Sequence, residues 1–215
     1  MPIITISRGT LSGGRKTAEC LAETLGYPSV GREILQEAAG TLGVSAGDLT
    51  ETLEAPPSLF ARLTEERKKY LLAVQTALAE YSVTGDLVYH GLAGQFLLRD
   101  LPGVLAVRLV APLEMRIQAL MSAHHRMSRK AAEEFIQNVD DDRRRWVRLM
   151  YGADVEDASL YDLTVNLESI SLETACVVIA EAAKQPQYEV TADVKRRLAD
   201  FARDCRERLL QAGGG

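Results

Sequence analysis

The chain has 215 residues, of which 47% are hydrophobic and 26% charged, and its formal net charge is −5. This is the composition of a globular protein with enough apolar residues for one full α/β core. The negative charge argues against non-specific binding to nucleic acid, and no apolar run approaches the ~20 residues that span a bilayer. We therefore expect neither a nucleic-acid nor a membrane partner.

The three cysteines, Cys20, Cys176 and Cys205, lie far apart in the sequence and show neither CxxC nor Cys/His metal spacing. Two of them fall on helical faces that are apolar, where a free cysteine behaves as a small hydrophobic residue. We expect three free thiols, no protein metal site and a reducing, cytoplasmic setting.

The chain opens on an apolar run from Ile3 to Ile6, followed by a glycine- and serine-rich turn at 7–14 and a helical pattern that continues to Leu25. In the phosphate-binding version of this unit, backbone N–H groups of the loop point at an anion, and the helix presents its positive end to the same place. The usual signature is G-x-x-x-x-G-K-[ST], in which the lysine reaches the outer phosphates and the hydroxyl binds magnesium.

The sequence can be aligned with this signature in two ways, and each alignment departs from it at some positions. With Gly9 and Gly14 as the two glycines, Arg15 takes the lysine position and Lys16 takes the position of the hydroxyl. We favour this alignment, because the glycines must fold the loop before any side chain matters. Arg15 remains a competent partner for phosphate, since its planar guanidinium pairs with two phosphate oxygens at once.

The second alignment uses Lys16 and Thr17 as the lysine–hydroxyl pair, which places Thr10 and Arg15 at the glycine positions. This alignment keeps the lysine and the hydroxyl of the signature, but it puts residues with side chains where the fold of the loop needs glycine. In the first alignment the Mg²⁺ ligand is open, with Ser12 or Thr17 as substitutes.

Buried strands then alternate with helices along the chain. Strands are predicted at 29–30, 87–90, 104–110 and 163–165. Helices are predicted at 32–42, 46–53, 58–83, 92–98, 113–122, 128–150, 171–183 and 191–210. This alternation indicates an α/β fold with a mostly parallel five-stranded sheet and right-handed crossovers. A ligand is then expected beyond the carboxyl ends of the strands.

The residues just after each predicted strand are therefore the candidates for a site. They include the loop at 7–17, Arg32, Gly91 and Arg116. An arginine-rich stretch at 143–148 lies on the helix predicted at 128–150, from which it could close over the loop. Phosphoryl transfer needs such cations, because charge is spread over the equatorial oxygens of the transferred group. Neighbours on a helix are ~100° apart, so we expect only one or two of Arg143, Arg144 and Arg145 to point at the site.

Five short motifs occur in a fixed order over about residues 2–183. They are Ile3–Arg8 with Gly13-Gly14-Arg15, then Arg32-Glu33-Ile34, Ala111–Arg116, Val139-Asp140 with Arg143, and Tyr161–Leu163 with Asn166. None is diagnostic alone, but their order resembles that of the cytidylate kinase-like family of P-loop nucleotide kinases.

The resemblance implies a P-loop NTPase-type three-layer sandwich spanning 1–184. It also implies a helical insertion at 45–83 that resembles a nucleoside monophosphate-binding region, and an arginine-bearing lid at 124–153. Residues 185–215 form a C-terminal helical extension. The resemblance implies ATP and Mg²⁺ as cofactors and a nucleoside monophosphate as acceptor, with CMP or dCMP as the default. We also expect that apolar stripes on the long helices could pair two subunits into a homodimer.

The resemblance further assigns roles to individual residues. The donor site comprises Gly9, Ser12, Gly13, Gly14, Arg15, Lys16 and Thr17. Arg116 and Arg143 would close with Arg15 on the transferring phosphoryl group, with Asp140 orienting Arg143. The acceptor side comprises Arg32, Gly91, Asp140 and Arg144.

Two departures from the family pattern favour a second hypothesis. A lysine stands at the hydroxyl position of the loop, and Leu92 follows Gly91 where the family usually has an arginine. The second hypothesis is a catalytically silent nucleotide- or phosphate-binding regulatory module, and a third is a kinase of another small metabolite on the same fold.

Overall fold

The structure is a computed structural model, and it describes residues 2–31, 33–49 and 65–213. Its strands are β1 (Ile3–Arg8), β2 (Ser29–Val30), β3 (Leu87–Tyr89), β4 (Val104–Val110) and β5 (Leu163–Asn166). Its helices are α1 (Gly14–Leu25), α2 (Glu33–Leu42), α3 (Glu65–Ser82), α4 (Gly94–Leu97), α5 (Leu113–Ala123), α6 (Arg129–Tyr151), α7 (Leu172–Ala183) and α8 (Ala192–Gly213).

The five strands form one sheet in the order β2-β3-β1-β4-β5, and every pairing in it is parallel. This confirms the predicted α/β fold. From β1 the chain passes through α1 to β2, which lies at one edge of the sheet. From β3 it passes through α4 to β4, on the opposite side of β1. A crevice at the carboxyl ends of the strands is expected where connections diverge in this way, here between β1 and β3.

The two ladders on either side of β1 differ in length. With β4 the pairing runs from Ile3–Val104 to Arg8–Leu109, whereas with β3 it runs from Ile3–Leu87 to Thr5–Tyr89. The last residues of β1, from Ile6 to Arg8, therefore pair with β4 and not with β3.

Helices cover both faces of the sheet and give the predicted three layers. On one face, Leu21 of α1 and Ile179 of α7 pack against sheet residues such as Ile4 and Val107. On the other face, α2 and α3 pack against the sheet, and α8 lies on α3 through residues such as Leu198. The buried side chains of β1 and β4 thereby form the centre of the molecule.

The helix predicted as the lid, α6, is anchored at both ends by apolar contacts. Near its start, Ile136 packs against Ile117 of α5. Near its end, Trp146 is buried against α4, and Tyr151 stacks on Phe96 with ring centroids 4.3 Å apart. Ser128, where the predicted helix begins, caps α6, because its hydroxyl accepts a hydrogen bond from the N–H of Ala131.

The structure corrects the expectation of three free thiols. Cys20 of α1 and Cys176 of α7 form a disulfide across 156 residues of sequence. The two helices lie side by side on one face of the sheet, so residues that are remote in the sequence meet there. Cys205 is a free cysteine and is buried between α8 and α3.

Part of the predicted helical insertion falls outside the described residues. Residues 46–49 are helical and α3 begins at Glu65, whereas residues 50–64 are not described. Among the helices that the structure describes, none combines the length and the apolarity required to cross a membrane.

Candidate functional site

The glycine loop between β1 and α1 turns twice through left-handed backbone. Leu11 has φ of 60° and Gly13, the N-cap of α1, has φ of 75°. No side chain caps the helix at Gly13. The backbone N–H groups of the first turn, which have no partner within a helix, are therefore directed at the loop. The chain thus builds the anion-binding end that the glycine pattern predicts.

Three side chains from outside the loop converge on Thr10. The backbone N–H of Thr10 donates to Oδ1 of Asp140 over 2.8 Å, and its hydroxyl accepts from Nη1 of Arg143 over 3.0 Å. Its carbonyl accepts from Nη1 of Arg116 over 3.3 Å. Since Arg116 belongs to α5 and the other two to α6, Thr10 is the point at which the lid meets the loop.

Arg116 and Asp140 also form an ion pair with each other. Their side chains are 14% and 16% exposed, so the pair is largely shielded from water. Nη1 of Arg116 lies so near the loop that a Cβ added to Gly9 would be 2.9 Å from it. Nε of Arg116 is buried without a hydrogen-bond partner among the described residues, so this guanidinium retains a donor at the loop.

The pKa of Asp140 reflects these neighbours. Burial, the largest single influence, acts to raise it, but hydrogen bonds from Arg116 and from the N–H of Thr10 together lower the pKa of this carboxyl below its ordinary value. Asp140 is therefore a carboxylate at neutral pH, and it accepts a hydrogen bond from Arg116. The role that the family resemblance gives it, orienting Arg143, stays a prediction.

Within the arginine-rich stretch of α6, Arg143 reaches the loop. Arg144 pairs with Asp141 and with Glu156, the latter over 3.1 Å. Arg145 lies 3.4 Å from Asp142, and Arg148 lies 3.5 Å from Asp154. This agrees with the expectation that only one or two of the neighbouring arginines face the site. Arg144, predicted at the acceptor side, is 42% exposed.

The structure separates the predicted loop residues into two groups. Gly9, Ser12, Gly13 and Gly14 form the loop and the start of the helix. Arg15, Lys16 and Thr17 follow the loop in the first turn of α1. Arg15 is 80% exposed and donates to Glu19 over 2.8 Å, while Lys16 is exposed. Thr17 is fully buried, and its hydroxyl donates to the carbonyl of Gly13 over 3.2 Å.

On the other side of the crevice, Gly91 and its neighbours are closely packed. A Cβ on Gly91 would lie 2.4 Å from the buried hydroxyl of Tyr89, and one on Gly31 would lie 2.3 Å from Cε1 of His90. Glu33 accepts from the N–H of Gly31 over 2.7 Å. Burial, followed by the charge of Arg8, lowers the pKa of His90, so this ring is neutral at pH 7. Arg32 lies outside the described residues.

The sequence analysis did not assign a role to Thr10 or to Arg8. Nη1 of Arg8, the last residue of β1, donates to the carbonyl of His90 at the end of β3 over 2.5 Å. The position of Arg8 in the sequence could have marked it as a candidate. An arginine that ends a central strand directly before a glycine loop lies at the carboxyl edge of the sheet. No comparable signal marks Thr10, whose role depends on where the lid lies.

The order of the sheet, with a glycine loop joining its central strand to the next helix, defines an α/β protein of the phosphate-loop kinase class. The sequence model of one family matches residues 3–169, and the chain belongs to that family, the cytidylate kinase-like family.

Individual proteins agree with this assignment. A cytidylate kinase of Staphylothermus marinus is 28% identical over 184 residues, which cover 84% of this chain and 96% of that protein. An uncharacterized protein from Eubacterium ventriosum has a similar structure, with a TM-score of 0.66 at 18% identity over 85% of this chain and 97% of that one. A shikimate kinase from Bacteroides thetaiotaomicron follows with a TM-score of 0.55 at 10% identity over 86% and 99%. The two structures bear on the fold alone.

Proposed function

We propose that the protein transfers the γ-phosphoryl group of ATP to a nucleoside monophosphate, with CMP or dCMP as the acceptor. The observation that carries this proposal is the convergence of Arg116, Asp140 and Arg143 on Thr10 of the loop. The named activity of the Staphylothermus marinus relative supports the choice of acceptor.

The donor phosphates fit the loop. Gly13 and Gly14 have no side chains of their own at the start of α1, and no side chain caps that end of the helix. Backbone donors and the helix dipole together favour a polyphosphate there. Leu167 packs against the outer side of Gly13 and closes the loop from the β5 side.

The two arginines stabilise the charge that develops during transfer. Arg116 and Arg143 approach Thr10 from different helices, so two guanidinium groups contact the loop at the same residue. Asp140 fixes the orientation of Arg116 by accepting its hydrogen bond, and it thereby keeps one cation in place before the substrate arrives. Cations held in advance at the position of developing charge are a major source of catalysis in phosphoryl transfer.

The acceptor would bind across the crevice, where β3 ends. Gly31, Glu33, His90 and Gly91 line this side, and Arg32, outside the described residues, is proposed as the group that meets the acceptor phosphate. Transfer then needs only that donor and acceptor be held in line, because the protein does little covalent chemistry itself.

The described residues do not form a magnesium site of their own. None of them makes a group of three or more His, Cys, Asp or Glu side chains suited to a metal. Both oxygens of Asp140 are engaged by Thr10 and Arg116, and the hydroxyl of Thr17 by Gly13. Mg²⁺ that accompanies ATP would therefore be held by phosphate oxygens and water, with Ser12 as a candidate hydroxyl of the loop.

The test is a coupled assay for ADP formation with ATP and each nucleoside monophosphate in turn. We expect transfer to CMP or dCMP, and we expect Arg143→Ala to lower kcat by about a hundred-fold through loss of one charge-stabilising group. Arg145→Ala is the matched control, because Arg145 lies on the same helix, is 62% exposed and pairs with Asp142 away from the loop. It should retain wild-type activity.

The outcome also separates the alternatives. ATP binding without transfer to any acceptor would favour a silent nucleotide-binding module, for which the lysine at the hydroxyl position of the loop and the Leu92 that follows Gly91 are the supporting features. ATP consumption with a non-nucleotide acceptor and with none of the nucleotides would instead identify a kinase of another small metabolite.

A further inference from the structure

Tyr161, which lies directly before β5, makes four polar contacts through its hydroxyl. The hydroxyl donates to the carbonyl of Val155 over 2.9 Å, and it lies 3.1 Å from Oγ of Ser7. It accepts from Nε2 of Gln95 over 3.3 Å and lies 3.5 Å from Nη1 of Arg108. One hydroxyl therefore joins β1, α4, β4 and the segment that follows α6.

Arg108 supports this arrangement from β4. It is the register partner of Ser7 in the sheet, so both side chains stand on the same face. The side chain of Arg108 is 13% exposed, and its Cζ lies 5.6 Å from the centroid of the Tyr161 ring. Its Nη1 also donates to the carbonyl of Val155, and its Nη2 lies 3.8 Å from Glu156. The segment after α6 is therefore held against the sheet by two side chains.

The helix α6 connects this segment to the phosphate loop. It carries Arg143 about two turns before its last residue, and the guanidinium there donates to the hydroxyl of Thr10. Thr10 belongs to the loop that follows β1, and Ser7 is the penultimate residue of that strand. The contacts thus form a closed ring. The loop meets α6 at Arg143, and the segment after α6 returns through Tyr161 to β1.

We propose that Tyr161 is a positioning residue of the transfer reaction, which sets the place of Arg143 at the phosphate loop through the segment that follows α6. This inference rests on the proposed function, because it needs Arg143 to act on the transferred group. Since a helix moves as one body, a displacement of its end moves Arg143 as well. A misplacement of about 1 Å at a reacting group can cost about a hundred-fold in rate.

The first test is Tyr161→Phe, which removes the hydroxyl and keeps the ring. We expect kcat for transfer to CMP to fall by about ten-fold with KM for ATP unchanged, because ATP binds through the backbone of the loop. In the Arg143→Ala background the same change should have no further effect on kcat, since the group that Tyr161 positions is gone. Tyr188→Phe is the matched control. Tyr188 is also half-buried but lies between α7 and α8, so this variant should keep the wild-type kcat.

Trp146 provides a second test that needs no activity. It is the single tryptophan of the chain, it is 4% exposed, and it lies on α6 about one turn after Arg143. Loss of the Tyr161 hydroxyl loosens the segment that follows this helix. We therefore expect acrylamide to quench the fluorescence of Trp146 more strongly in Tyr161→Phe than in the wild type, and equally in Tyr188→Phe.

Three results would overturn the assignment, each measured well below the melting temperature of the variant. One is a kcat of Tyr161→Phe within about two-fold of the wild type, which is too small a change for a displaced charge-stabilising group. Another is an equally large loss in the Arg143→Ala background, and the third is unchanged quenching of Trp146. A wild-type protein that phosphorylates no acceptor refutes the proposed function, whereas the quenching of Trp146 still decides whether Tyr161 holds α6 in place.

Discussion

The carboxylate of Asp140 links two partners, the guanidinium of Arg116 and the backbone N–H of Thr10, and thereby joins α6 and α5 to the phosphate loop. Because both partners favour its charged form, the pKa of Asp140 in the folded protein lies below its value in the unfolded chain. The stability that Asp140 contributes is therefore fully present above the unfolded pKa, about 3.9, and is lost as the pH falls through the folded pKa.

We predict that Asp140→Asn lowers the free energy of unfolding by about 1–3 kcal/mol at pH 7, because Arg116 loses its charged partner. The difference from the wild type should shrink below about pH 4. Urea denaturation at a series of pH values measures both effects. Asp142→Asn is the control, since Asp142 pairs at the surface with Arg145 and such pairs contribute about 0–1 kcal/mol. A wild-type advantage over Asp140→Asn that does not depend on pH would contradict this account.

A second prediction concerns the backbone of the loop. Leu11 is 40% exposed and has φ of 60°, a conformation that costs a residue with a side chain about 1–2 kcal/mol. Leu11→Gly removes this strain and adds backbone entropy to the unfolded chain, so we expect the melting temperature to stay the same or rise. Leu210→Gly, in the exposed part of α8, should instead cost about 1 kcal/mol. Equal losses in the two variants would show that Leu11 is not strained.

Two glycines with opposite surroundings give a third prediction. A Cβ added to Gly91 would lie 2.4 Å from the hydroxyl of Tyr89. Tyr89 is 1% exposed, and its hydroxyl donates to the carbonyl of Leu92. Gly91→Ala should therefore destabilise the protein by about 1–3 kcal/mol. Gly40, in α2, has open space around it, and Gly40→Ala should stabilise by about 0.5–1 kcal/mol. Chemical denaturation of both variants tests the signs, and a neutral Gly91→Ala would refute the packing described for Tyr89.

The disulfide predicts the number of reactive thiols. In denaturant without reductant, one thiol per chain should react with Ellman's reagent, and three should react after reduction. In the folded protein burial raises the pKa of Cys205 to about 11, so this thiol should react slowly at neutral pH. Reduction should also lower the free energy of unfolding by about 2–5 kcal/mol. Three thiols in the unreduced, denatured protein would show that Cys20 and Cys176 are free in solution.

Much of the fold could be predicted because it depends on local pattern. The apolar run at Val104–Val110 coincides with β4 as observed, and the caps at Ser128 and Ser171 mark the helix starts that the structure has. Local pattern also placed the glycine loop, Arg116 and Arg143 at one edge of the sheet, since parallel strands end together.

The remaining features of the fold and of the site depend on how the helices and strands pack against one another. Which arginine of α6 faces the loop follows from the rotation of that helix, which Trp146 and Val147 set by their burial against α4. The spacing of glycines does not reveal that α1 begins at Gly14 or that Arg15 pairs with Glu19. The disulfide requires α1 and α7 to be neighbours, which is a property of the sheet order and not of either helix.

The unequal ladders of β1 have a mechanical consequence. Past Thr5 and Tyr89 the two central strands are no longer paired, and β1 continues with β4 to Arg8 and Leu109. At this edge, the side chain of Arg8 donates to the His90 carbonyl, so a side-chain contact takes the place of the backbone ladder between the two strand ends. The ends of β1 and β3 can therefore move apart by rotation of side chains while the ladder from Ile3 to Thr5 stays paired.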